Sequence, residues 1–260
     1  MTAHPSIQRK LAELTTPVVS RKWWKRGHNG HSGATLQHDD LAAKLGYLSE
    51  TSVFAPLSAE ERAWLANTAT MLTCEAGKVF YVPDELGEVA FILKRGRVDL
   101  YRIAPDGRKL IVGTLGPQTI FGEMSLLGQR MYGCYAEAAE ECLICVMSRT
   151  VLQALICRNP DVGLRLLADL GNRLHQLEAE LESIAFRPLP VRLADLLLRE
   201  MNAYGVVSGY THQDLAERLG AYRETVSQAL GRFRADRLVE VEPRRIRIVD
   251  PTGLQAYVDS

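Results

Sequence analysis

The stretch "YTHQDLAERLGAYRETVSQALGRFRADRLVEVEPRRIRIV", Tyr210 to Val249, decides the C-terminal architecture. Thr211 stands where a helix N-cap belongs, and Asp214 three residues on makes a shortened capping box. Leu215, Ala216 and Leu219 then form an apolar face, and Gly220 permits a tight turn. A second helix starts near Arg223 and buries Val226, Leu230 and Phe233. That spacing leaves Arg223, Glu224, Ser227 and Gln228 outward near its N-terminus. "RLVEV", a turn at "EPRR" and "IRIVD" read as a β-hairpin wing carrying Arg244, Arg245 and Arg247.

Two helices joined by a tight turn place the second one in the major groove of DNA. Arginine offers paired donors to guanine, glutamate accepts from the cytosine amino group, and glutamine pairs with adenine. The expected base contacts are therefore Arg223, Glu224, Ser227 and Gln228, with wing arginines Arg244 and Arg245 on phosphates. A pair of solvated helices would share the charged face, but would leave the wing unexplained.

Upstream, Leu167, Leu170, Leu174, Leu177, Leu181 and Ile184 recur at steps of three and four, with Arg173, Gln176, Glu178, Glu180 and Glu182 off that line. A seam so narrow and so flanked by charge predicts a two-stranded parallel coiled coil; a helix buried against its own domain is the alternative. Pro188 and Pro190 then punctuate the chain as a hinge. Before the helices come short β runs. "EVAFILKRGRVDLYRI" reads as a hairpin breaking at Arg95-Gly96, and "RIAPDGRKLIVGTL" as another around Pro105-Asp106-Gly107. "TIFGEM" and "ECLICVMSR" add strands, and Ser58 before Ala59-Glu60-Glu61 starts a short helix. Strands at this spacing predict a β-roll or sandwich rather than a βαβ fold.

The 31 basic and 31 acidic residues balance, so net charge points to no partner. Residues 2 to 34 are locally basic and hold "SRKWWKRGHNGHSGA", which reads as a mobile extension able to add non-specific DNA affinity. His28, His31, His38 and Asp39 lack the spacing of a metal site and read as solvent-exposed. No apolar run approaches a membrane span and no signal peptide opens the chain. Five cysteines, an odd number, suit a reducing cytoplasm better than a disulfide framework.

Three segments in order, "FGEMSLL", "NPDVGLRLL" and "THQDLAERLGAYRETVSQALGRF", make residues 51 to 252 resemble the Crp/Fnr family of bacterial transcription regulators. The resemblance implies an α+β chain: an extension at 1–50, a cyclic-nucleotide-binding-like sensor β-roll at 51–148, a long coiled-coil dimerisation helix at 149–186, and a winged helix-turn-helix at 187–260. It implies a cytoplasmic homodimer on palindromic double-stranded DNA, with RNA polymerase as a further partner and no enzymatic activity. Carried across by position, Arg223 and Glu224 read the half-site and Ser227 matches the Fnr branch, while Gln228 stands where both branches usually place arginine. Thr211 and Gln213 match phosphate-contacting positions. Tyr222, also at the backbone, replaces a small capping residue.

The same resemblance frames the effector pocket. Gly122 and Glu123 match the pair that holds the ribose and phosphate end of cyclic AMP. Tyr132 and Gly133 fall where an Arg-Ser pair neutralises the cyclic phosphate, and Arg130 is near but out of place. Leu177 and Glu178 replace polar contacts to adenine. A phosphate buried without its guanidinium lacks the contacts that offset desolvation, so cyclic AMP is not expected and the effector stays open. A second reading within the family is a redox- or metal-responsive regulator using Cys74, Cys134, Cys142, Cys145 and Cys157. Cys142 and Cys145 are spaced CxxC, yet on a strand they face opposite sides. Cys145 resembles the internal cluster ligand of Fnr; the N-terminal cysteine trio is missing, so an iron-sulfur cluster would lack most of its ligands. Residues 51 to 174 contain no histidine, which argues against haem and against a cupin-type metalloenzyme.

Overall fold

Short strands rich in β-branched and aromatic residues build the N-terminal half, as their alternation predicts. The structure is a computed structural model that describes residues 34–36, 41–122 and 133–259. Two units divide it: one runs to Tyr101 and resumes at Gly113–Asn172, and the other joins Arg102–Val112 to the chain from Arg173 onward.

The N-terminal elements are β1 (Ala34–Leu36), α1 (Leu41–Glu50), a 3-10 turn at Ser52–Phe54 and α2 (Ala59–Thr68). Ser58 caps α2 through a full capping box: its hydroxyl accepts from Glu61 N at 3.2 Å, and Glu61 Oε2 accepts from Ser58 N at 2.8 Å. The strands β2 (Thr70–Cys74), β3 (Val79–Tyr81), β4 (Val89–Arg95), β5 (Val98–Ile103), β6 (Lys109–Leu115), β7 (Ile120–Phe121), β8 (Tyr135–Ala138) and β9 (Cys142–Ser148) follow. They form two sheets, ordered β1-β2-β9-β4-β7 and β3-β8-β5-β6 among the described residues.

The hairpin expected at Arg95-Gly96 does not form. β4 pairs with β7 and β9 in one sheet, while β5 pairs with β8 in the other, so Gly96 is a corner where the chain changes sheets. It has φ 91°, and a Cβ there would lie 2.4 Å from the Glu141 carbonyl oxygen and 2.8 Å from Cys142 Sγ. Only glycine fits that approach.

Two expected boundaries also move. Residues 41–50 are not part of a mobile extension: α1 buries Leu48 in the first core, and Lys44, also buried, donates from Nζ to the Ala69 carbonyl at 3.0 Å. Residues 149–186 are not one helix. α3 (Arg149–Arg158) and α4 (Pro160–Phe186) are separated at Asn159, which has φ −131° and ψ 88°, and Pro160 has no N–H to continue the ladder. Val151, Leu152 and Leu155 of α3 pack with Leu48, Leu65 and Met147, so α3 is a core helix of the roll.

The C-terminal unit contains α5 (Leu189–Glu200), β10 (Val206–Ser208), α6 (His212–Leu219), α7 (Arg223–Ala235), β11 (Val239–Glu242), β12 (Arg245–Ile248) and α8 (Pro251–Val258). Its strands are ordered β10-β12-β11. Leu193, Leu197, Leu215, Val226, Leu230, Phe233 and Ile246 meet in one buried core.

Candidate nucleic-acid interface

The helix pair is built as its sequence dictates. The Thr211 hydroxyl accepts from Asp214 N at 3.2 Å, and Asp214 Oδ2 accepts from Thr211 N at 2.7 Å, so α6 starts from a closed capping box. Gly220 ends it in the left-handed region at φ 60°, its N–H bonded to the Ala216 carbonyl. α7 begins at Arg223 after Tyr222, whose side chain makes no cap bond. Leu215, Ala216 and Leu219 close against Val226, Ala229, Leu230 and Phe233. Burial of that apolar stripe sets the rotation of α7 and holds its opposite face outward.

On that outward face Arg223, Glu224 and Gln228 are exposed, as their spacing predicts. Ser227 is half-buried, and its hydroxyl donates to the Arg223 carbonyl at 2.9 Å while lying 2.8 Å from His212 Nδ1. The Thr211 hydroxyl is engaged in the same way, donating to Asp214 Oδ2 at 2.8 Å. Gln213, exposed, donates to Glu217 Oε1 at 3.0 Å. Tyr222 is exposed, and the Arg108 guanidinium of the same unit lies 4.2 Å from its ring centroid.

The wing hairpin spans the two-residue turn Pro243-Arg244 between β11 and β12. Its charges are partly matched across the strands: Arg247 lies 3.8 Å from Glu240 and Arg245 3.8 Å from Glu242. Arg244 occupies the turn at φ 55°, exposed, and has no ion pair among the described residues. Sequence reading did not single out His212. It lies fifteen residues from Ser227, and no helical or strand period joins two positions so far apart.

The predicted dimer seam lies on α4. Leu167, Leu174, Leu177, Leu181 and Ile184 are exposed, with Leu181 at 67 %, and Leu170 is half-buried. Leu164 and Phe186 are also exposed, out of register with that stripe.

In the roll, Glu123, Arg130 and Tyr132 lie outside the described residues, as do His28, His31, His38 and Asp39. Gly122 is buried at φ 76°, and a Cβ there would meet Phe91 Cδ2 at 3.1 Å and the Val89 carbonyl oxygen at 3.3 Å. Phe91 in turn packs with Phe80 and Phe121, ring centroids 5.0–5.4 Å apart. Gly133 is exposed.

The cysteines are scattered through the roll. Cys74 and Cys142 are cross-strand partners on β2 and β9, Cys145 lies opposite Met71 and Ile92, Cys134 is buried, and Cys157 is exposed on α3. Burial pushes the Cys74 thiol up to about 12 and the Cys142 thiol above its ordinary value. Among the described residues no three His, Cys, Asp or Glu side chains are grouped to hold a metal. Nor is any described helix long and apolar enough to cross a membrane.

Against known proteins, residues 71–159 match the cyclic nucleotide-binding domain and residues 191–257 the Crp-like helix-turn-helix domain. The chain is 30% identical over 190 residues to the global nitrogen regulator of Synechococcus elongatus, covering 69% of this chain and 86% of that one. It is 31% identical over 180 residues to the cyclic AMP receptor protein of Thermus thermophilus, covering 69% and 83%. In fold it matches the crystal structure of a crp/fnr-family transcriptional regulator from Eubacterium rectale with a TM-score of 0.71 at 17% identity, over 80% of this chain and 98% of that one. Sensor domain and helix-turn-helix, in this order and with these relatives, show that the chain belongs to the Crp/Fnr family of transcription regulators.

Proposed function

We propose that this chain regulates transcription as a homodimer on palindromic DNA, through a sensor that does not answer to cyclic AMP. The observation that carries it is α7: Arg223, Glu224 and Gln228 stand in water over a face that Val226, Leu230 and Phe233 bury completely. A helix so oriented offers a bidentate donor, an acceptor and an amide to base edges from its first two turns. Arg244 and Arg245 on the wing supply phosphate contacts, with Thr211, Gln213 and Tyr222 at the helix starts. The apolar stripe on α4 supports the dimer, because water-exposed leucines at heptad spacing are stabilised by a second copy of the same helix. RNA polymerase is the further protein partner, and the cytoplasm the place of action.

The sensor reading rests on Tyr132 and Gly133 standing where an Arg-Ser pair would neutralise the cyclic phosphate. A thiol-based sensor has less support, since Cys74 and Cys142 are sealed and held as thiols. The test is binding of reduced, chelator-treated, dialysed protein to a pool of randomised palindromes. Tight selective binding supports an effector-independent dimer. Rescue by cyclic AMP of otherwise weak binding overturns the sensor reading, and absence of selective binding under every condition overturns the regulator reading.

A further inference from the structure

The Ser227 hydroxyl carries one hydrogen and makes two bonds. One partner, the Arg223 carbonyl at 2.9 Å, only accepts, so the hydrogen goes there. The other, His212 Nδ1 at 2.8 Å, must then donate. Both bonds hold together only in the tautomer with hydrogen on Nδ1, which leaves Nε2 of the neutral ring as a bare acceptor. Ser227 is thereby left with no hydrogen to offer DNA, and the polar atom presented in its place is His212 Nε2.

His212 is the first residue of α6, and the first helix of a helix-turn-helix crosses the DNA backbone. A bare nitrogen lone pair repels a phosphate oxygen, whereas a protonated Nε2 donates a charge-assisted hydrogen bond to it. We propose that His212 contacts the DNA backbone and that the protein takes up a proton there on binding, with Nδ1 still donating to Ser227 and Nε2 donating to phosphate. This rests on the DNA-binding reading above. The proton comes from solvent, and each half-site of a dimer would bind one.

The charges around the ring leave the phosphate as the new term. On α6 itself, the Asp214 carboxylate is held by the Thr211 N–H and hydroxyl, and Glu217 accepts from Gln213. α7 brings Arg223 and Glu224, one turn before Ser227. α5, which also packs on α6, brings Arg192, donating to the Leu219 carbonyl at 2.7 Å, and the Asp195–Arg199 pair at 3.0 Å. The positive end of the α6 dipole lies at His212; it favours an arriving anion and disfavours a cation there, so the charged ring depends on the phosphate beside it.

The test titrates the full chain with a duplex selected from randomised palindromes, by calorimetry at pH 7 in two buffers of different ionisation enthalpy. The heat difference counts protons. We expect net uptake by the wild type, lost in His212→Asn. Wild-type affinity should rise as pH falls from 8 to 6, toward a limit of about tenfold per pH unit for each proton bound. His212→Arg, charged throughout, should bind at pH 8 at least as tightly as the wild type and lose the pH dependence. Zero uptake by the wild type, uptake that persists in His212→Asn, or weaker binding by a folded His212→Arg at pH 8 would each overturn the proposal. If His212→Asn fails to fold by circular dichroism, the wild-type count and the His212→Arg profile decide. Failure of the wild type to bind any selected duplex overturns the regulator reading instead.

Discussion

In the C-terminal unit, α7 holds Arg223, Glu224 and Gln228 in water above a closed apolar face; in the roll, β2 and β9 close over Cys74 and Cys142 until neither thiol reaches solvent. Both units contain groups capable of chemistry, and burial separates them. A side chain that must meet a partner is useful where its desolvation is deferred until binding. A thiol desolvated by folding is held protonated and behaves as a small hydrophobe. Lys94 repeats the pattern on β4. Its ammonium donates to the Tyr47 carbonyl at 2.8 Å and to Thr51 Oγ1 at 2.6 Å, and burial pulls it from 10.5 down to about 8. The roll spends its polar groups on holding itself together.

The contrast can be broken at several points. The largest effect should come from α4, where Leu174→Glu with Leu181→Glu puts charge on the exposed stripe. We expect monomers by analytical ultracentrifugation and a loss of palindrome affinity on the order of 100-fold or more, since the second half-site is no longer tethered. A dimer that survives would mean the stripe is covered by something else. Next, Glu224→Ala should cost about 1–3 kcal/mol on the selected duplex and little on a random one. Equal losses on both would remove Glu224 from base reading.

Smaller effects are expected in the roll. Between pH 8 and 10.5 the unfolded chain keeps the Lys94 proton that the folded chain has released, so this residue makes stability rise with pH across that window. Lys94→Met should flatten the rise, read as urea midpoints of the two proteins at matched pH; parallel curves would count against the assignment. Smallest of all, iodoacetamide should label Cys157 in the native protein with DNA binding unchanged, and reach Cys74 and Cys142 only in denaturant. Rapid native labelling of Cys74 would reopen the thiol reading.

The legible parts of the chain were the local ones. Thr211 with Asp214, Gly220, and the apolar spacing of Val226, Leu230 and Phe233 each act within one or two turns, so their pattern survives in the sequence. Gly96 was misread because a turn signal says that the chain bends and not which strand it meets next; β5 finds β8 some forty residues on. The bound at 149 was set early even though "NPDVGLRLL" resembles the start of the dimer helix: apolar residues continue on both sides of Asn159-Pro160, those of α3 facing the roll with Leu166 of α4, and those from Leu167 onward mostly facing water. The His212–Ser227 bond was invisible for the same reason as the sheet change: it exists only once α6 and α7 have packed.

One detail of the wing separates two kinds of selection. A non-glycine residue at φ 55° costs on the order of 1 kcal/mol, and Pro243 before it fixes the turn that demands this conformation. A library of variants screened for heat resistance would favour glycine or asparagine at position 244. The same library screened for promoter occupancy would favour arginine, whose guanidinium is the one wing charge with no acid beside it among the described residues. Position 244 is therefore where the two screens should diverge, and the size of that divergence would measure how much stability the wing gives up for the phosphate contact proposed for Arg244.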